Sequence, residues 1–130
     1  MAAAVLVDSN YYIRRQRQDR DPFDELAAFA DTHEFLTCGM VVMEVLRGMH
    51  HNKTRESYRM GFSVMNYVPT TSGTWDLATD IALSLDRKGT PIPPQDSLIA
   101  AHALHTGAAV LTFDTDFRRV PGLTVLDRLP

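Results

Sequence analysis

Cysteine is nearly missing from this sequence: Cys38 stands alone among 130 residues. An internal disulfide and a cysteine-based zinc cage are both excluded, and a reducing compartment is the expectation. No apolar run approaches the roughly 20 residues that span a bilayer. The opening, Met-Ala-Ala-Ala-Val-Leu-Val-Asp, lacks the basic start and cleavage region of a signal peptide, so the expected location is cytoplasmic, with no membrane partner. A basic excess is lacking too. With 13 Lys and Arg against 16 Asp and Glu, the net charge is -3. That balance argues against a nucleic-acid binder, except where the acids gather around cations that offset them. Linkers, repeats and low-complexity tails are also absent. The expected organisation is one domain over residues 1–130, and 45% hydrophobic content suits a compact core.

What the sequence does contain is organised around Pro91 to Phe117. Pro93 and Pro94 suit the approach to a helix and its first turn, and Gly107 is a typical stop. On a helical wheel Ile99, Ala100, Ala103 and Leu104 form one apolar stripe, and Asp96 falls near its centre instead of on the polar side. Ala108 to Leu111 is a short apolar run without helical period and reads as a buried strand. Thr112-Phe113-Asp114-Thr115-Asp116 leaves its carboxyl end, where open α/β sheets bind ligands. As an alternative, Asp114 and Asp116 form Asx turns, and Asp96 serves the helix dipole.

Ala3 to Val7 reads as a buried first strand that delivers Asp8, although Asp8-Ser9-Asn10 also fits a helix cap. The next ten residues carry four arginines, Arg14, Arg15, Arg17 and Arg20. They read either as a solvated face or as phosphate contacts made by forked guanidinium groups. Asp21-Pro22 starts a second helix that keeps its spacing to about Asp31. Glu34 to Cys38 is a second strand. From Met40 to about His50 a helix buries Val41, Val42, Val45, Leu46 and Met49, with Glu44 at the margin of that stripe beside Gly48. Lys53 to Met65 is amphipathic, and its apolar surface, Met60 and Val64 included, reads first as core packing and second as an oligomer or partner contact. Tyr67-Val68-Pro69 is a short strand. Thr74 caps a helix from Trp75 to about Arg87, and Leu123 to Leu126 is a last strand. This alternation predicts an α/β fold, a mostly parallel sheet with helices on both faces.

Asp8, Asp96, Asp114 and Asp116 thus stand at strand or helix ends, with Glu44 as a further candidate. Carboxylates gathered without a cation repel one another, so a cluster implies a bound divalent ion. All-oxygen ligands favour magnesium, with manganese as a substitute. His50, His51, His102 and His105 invite a zinc reading, but His102 and His105 lie away from the Asp96 stripe and are expected at the surface.

Taken in order, five segments resemble the PIN-domain ribonucleases, most closely the small VapC-like toxins. They are Val5 to Asn10, Met43 to Gly48, Gln95 to Leu104, Leu111 to Phe117 and Pro121 to Leu123. The resemblance implies a three-layer α/β domain with four to five short parallel strands. It also implies a metal-dependent endoribonuclease whose ligands are Asp8, Glu44, Asp96 and one or both of Asp114 and Asp116, with Ser9 orienting water or a ligand. Its partners would be an RNA substrate, a second copy of the chain, and a small antitoxin that covers the acidic pocket. Phe113 departs from the family pattern, which has a basic or polar residue there. Two further readings share the fold: a PIN nuclease of RNA maturation, and a binding module without chemistry.

Overall fold

A computed structural model describes residues 2–130. Five strands form one sheet in the order β3-β2-β1-β4-β5: β1 Ala3–Val7, β2 His33–Cys38, β3 Asn66–Val68, β4 Ala109–Leu111 and β5 Val125–Leu126. Every neighbouring pair is parallel. Helices α1 Ser9–Arg17, α2 Pro22–Ala27, α3 Gly39–Arg47, α4 Asn52–Ser63, α5 Ser72–Arg87 and α6 Pro94–Thr106 cover both faces, as the alternating pattern predicts.

The chain leaves β1 toward β2 on one side and returns through β4 on the other, so the strand order reverses between β1 and β4. A crevice opens at such a reversal, outside the carboxyl ends of the strands. Val5, Leu6 and Val7 are fully buried there, as expected for a central parallel strand. Each side chain of this size stabilises the fold by roughly 1.5–3 kcal/mol when removed from water.

Three local readings need correction. The second helix ends at Ala27, not near Asp31, because the chain tightens into turns in which Phe29 and Ala30 bond back only three residues, to Leu26 and Ala27. The cap of α5 is Thr71, and Thr74 is the third helical residue that closes a reciprocal capping box with it. Most consequential is α6. The expected stripe is instead an almost continuous buried surface from Asp96 through Ala103, because α5, α3, β1 and β4 all pack against this helix. His102 is therefore not a surface residue: it is 1% exposed and its Nε2 lies 2.8 Å from the Thr70 hydroxyl. Burial, and then the neighbouring His105, push its pKa down. His105 is exposed, as expected. At the far end of α6, Gly107 takes a left-handed φ of 70° and ends the helix.

Candidate active site

Asp8, Asp96, Asp114 and Asp116 are placed by element ends at the carboxyl edge of the sheet, and Glu44 by the body of α3. Asp8 directly follows β1 and caps α1, its Oδ1 accepting the Ser9 N–H at 2.8 Å. The cap reading and the site reading of Asp8 hold together. Its other oxygen accepts the Thr112 hydroxyl at 2.8 Å, a bond that ties the end of β1 to the end of β4. Thr112 also accepts the Asp114 N–H at 2.9 Å, which fixes the turn leaving the sheet. Asn10 completes this brace by accepting the Phe113 N–H at 3.2 Å. Glu44, half-buried on α3, is reached not across Gly48 but through Ser9, whose hydroxyl lies 3.3 Å from Glu44 Oε1 and 3.5 Å from Asp8 Oδ1.

The opposite wall comes from α6 and the segment after β4. Asp96 sits in the first turn of α6 and is 8% exposed. Asp114 caps a short 3-10 helix, Thr115–Arg119, its Oδ1 accepting the Asp116 N–H at 2.9 Å. That is the expected Asx turn, and it aims both carboxylates at α6. One carboxylate oxygen from each of Asp96, Asp114 and Asp116 lies within 4.8 Å of the others. Arg119 reaches Asp116 from the rim at 3.4 Å.

The electrostatics follow from this crowding. Burial, then repulsion from Asp8, Asp114, Glu44 and Asp116, raise the Asp96 pKa to about 7. Asp8 rises to about 6, mainly through burial, with the Thr112 hydroxyl and Ser9 N–H opposing and Glu44 and Asp114 adding to the rise. Burial also raises Glu44, partly offset by the Ser9 hydroxyl and by Arg47. Each of the other four acids therefore acts on Asp96. The donors are all hard oxygens, and the close trio carries more negative charge than Arg119 offsets, so a divalent cation such as magnesium fits the set.

All five expected acids thus reach one edge. The close trio is Asp96, Asp114 and Asp116, while Asp8 and Glu44 form a second, hydrogen-bonded group beside it. Thr112 and Asn10 are the residues that sequence reasoning passed over. Their signal was present: a threonine that ends a buried strand directly before an acidic turn, and an asparagine two residues after the other strand-end aspartate.

The sequence model of one family, described as the PIN domain, matches residues 5–123. The chain belongs to the PIN domain family. Among relatives, this PIN domain is 44% identical over 48 residues to the tRNA(fMet)-specific endonuclease VapC of Salmonella typhimurium, a match covering 36% of each chain. It is 32% identical over 92 residues to Ribonuclease VapC21 of Mycobacterium tuberculosis, covering 67% of this chain and 65% of that one. The chain thus spans about a third and just under two thirds of the curated relatives it matches. Among solved structures, VapBC2 from Rickettsia felis, bound to a DNA fragment from its promoter, superimposes with a TM-score of 0.81 over 94% of this chain and 96% of that one. At 20% identity that likeness establishes the PIN domain fold.

Proposed function

We propose that this PIN domain is a cytoplasmic, Mg2+-dependent endoribonuclease, the toxin of a toxin–antitoxin pair. It acts as a homodimer and is neutralised by a cognate antitoxin that covers the acidic pocket. The observation that carries the chemistry is the convergence of Asp8, Glu44, Asp96, Asp114 and Asp116 on one crevice, with Arg119 the cation on the close trio. Relatives named as ribonucleases support RNA as the substrate.

Asp96, Asp114 and Asp116 would hold the cation, with Asp8 and Glu44 completing its surroundings. When bound, a divalent cation lowers the pKa of a coordinated water and offsets negative charge building at a phosphodiester. The protein's own contribution is placement. Thr112 holds Asp8 by its Oδ2, so the carboxylate cannot rotate away from the crevice. The Ser9 hydroxyl stands between Asp8 and Glu44 and donates its hydrogen bond to either carboxylate, which leaves its oxygen free to accept from a water and orient it. Burial of Asp96 shields its own carboxylate from solvent, while Asp114 and Asp116 stay partly open to a ligand.

The test is cleavage of a mixed structured RNA pool with magnesium, with manganese and with chelator, comparing the natural chain with Asp96→Asn. Metal-dependent cutting that disappears in the variant is the expected result. Cutting that survives chelation, or that Asp96→Asn leaves unchanged, overturns the reading.

A further inference from the structure

Among the four arginines of α1 and the loop after it, Arg15 and Arg20 are employed differently from Arg14. Arg15 donates to Glu25 at 2.8 Å, and Tyr11 and Arg20 hold the same carboxylate. Arg15 and Arg20 therefore tie α1 to α2, and their charges are spent. Arg14 is exposed and forms no ion pair among the described residues; its guanidinium lies 4.3 Å from the centre of the Phe113 ring, which Arg15 also approaches, at 5.1 Å, while bonded to Glu25. Phe113 is itself fixed, its ring stacked on Tyr11 at 5.8 Å and 20°. Arg14, Phe113, Asp114, Thr115, Arg118 and Asp127 line a cleft of about 170 Å³, and Asp114 is shared with the acid cluster.

We propose that Arg14 and Arg118 form a subsite for an RNA backbone phosphate next to the acid cluster, with Phe113 as the platform that holds Arg14. The inference rests on the nuclease reading above and adds where the strand lies. Stacking occupies the face of a guanidinium and leaves its N–H edge free in the plane, the edge that matches two phosphate oxygens. The ring restricts the long side chain before a ligand arrives, so less freedom is lost on binding. A second cation across a narrow, mostly polar cleft suits a phosphodiester better than an apolar peptide. The shared Asp114 wall sets that phosphate beside the one to be cut. Phe113, the residue that departs from the family pattern, thereby acquires a task of its own.

The test measures binding of a short, unstructured, fluorescein-labelled RNA by anisotropy in chelator, across a series of salt concentrations. For Arg14→Gln/Arg118→Gln we expect affinity to fall about tenfold at low salt and the log–log salt slope to shrink by about 1.4, the value for two lost single-strand contacts. Phe113→Leu should weaken binding in the same direction by less, since Arg14 keeps its charge and loses its platform. Arg15→Gln should lower thermal stability and leave the slope alone. With magnesium, the double variant should raise KM and keep kcat within about twofold. An unchanged affinity and slope in the double variant overturns the proposal. So does an unchanged RNA slope joined to lost inhibition by the antitoxin, which assigns the pair to the protein partner. If the natural chain binds with this slope but never cuts, the nuclease reading fails and the subsite stands. If it cuts and the double variant keeps the slope, the reverse holds.

Discussion

Asp8 and Glu44 differ sharply from Asp96, Asp114 and Asp116 in how they are held. The first pair rests in a net of donors: a backbone N–H and a threonine hydroxyl on Asp8, and a serine hydroxyl between the two. In the trio, the Asx turn and the rim arginine are the contacts, and Asp96 is left to burial and like charge. The lesson is a division of labour. Hydrogen bonds orient Asp8 and partly offset the burial that raises its pKa, whereas Asp96, buried against like charge with no donor among the described residues, stores a stronger demand for positive charge. On the proposed reading the trio would seat the cation, and the pair would be the frame beside it.

The comparison breaks most severely through Asp96. We expect Asp96→Asn to reduce metal-dependent RNA cleavage on the order of 10³-fold, a loss of ligand charge at nearly constant shape, while circular dichroism stays that of the folded chain. The frame should cost less. Thr112→Val removes the donor from Asp8 Oδ2, and Ser9→Ala removes the link to Glu44; each should lower activity or magnesium affinity about 10- to 100-fold, read by titrating magnesium against cleavage rate. If Thr112→Val matches Asp96→Asn in severity, the division of labour is wrong.

Protonation sharpens the same contrast. Asp96 and Asp8 have metal-free pKa values of about 7 and about 6 against an ordinary 3.8. The folded chain therefore binds more protons than the unfolded one, and its stability falls as pH rises from about 4 to about 7. Without metal we expect Tm at pH 8 to lie on the order of 5 °C below that at pH 5, with magnesium recovering the difference at the higher pH. Asp96→Asn should flatten most of this slope and raise the metal-free Tm at pH 8. The smallest effect belongs to the rim. Arg119→Gln removes a half-exposed ion pair with Asp116, worth about 0–1 kcal/mol, and should change cleavage by less than about threefold.

Much of this was legible in the residues, for reasons that also explain what was not. Pro94 and Gly107 mark the two ends of α6 because one lacks an N–H where none is needed and the other tolerates a left-handed φ. The strand ends carrying Asp8 and Asp114 are readable because buried parallel strands are short and apolar on both faces. A 3.6-residue period, however, reports one apolar face and is silent when a helix is covered from several sides. That is why the pattern gives α6 a single apolar stripe and places His102 at the surface. The Thr112 bond escaped for a different reason: it joins residues 104 positions apart, and only the sheet order reveals the contact. The same limit hid the choice of platform for Arg14, since Phe113 in sequence looks like one more apolar side chain.

That long-range bond between Asp8 and Thr112 also sets a timetable. β1 cannot receive β4 until the 104 positions separating Asp8 from Thr112 have been made, and Asp96, Asp114 and Asp116 all lie near the far end of that interval or just beyond it. Non-local pairings of this kind form late, because the loop between them must close before any contact rewards it. A chain still emerging from the ribosome therefore carries Asp8 and Glu44 with nothing opposite them. The crevice is complete only once β4 and β5 have docked beside β1.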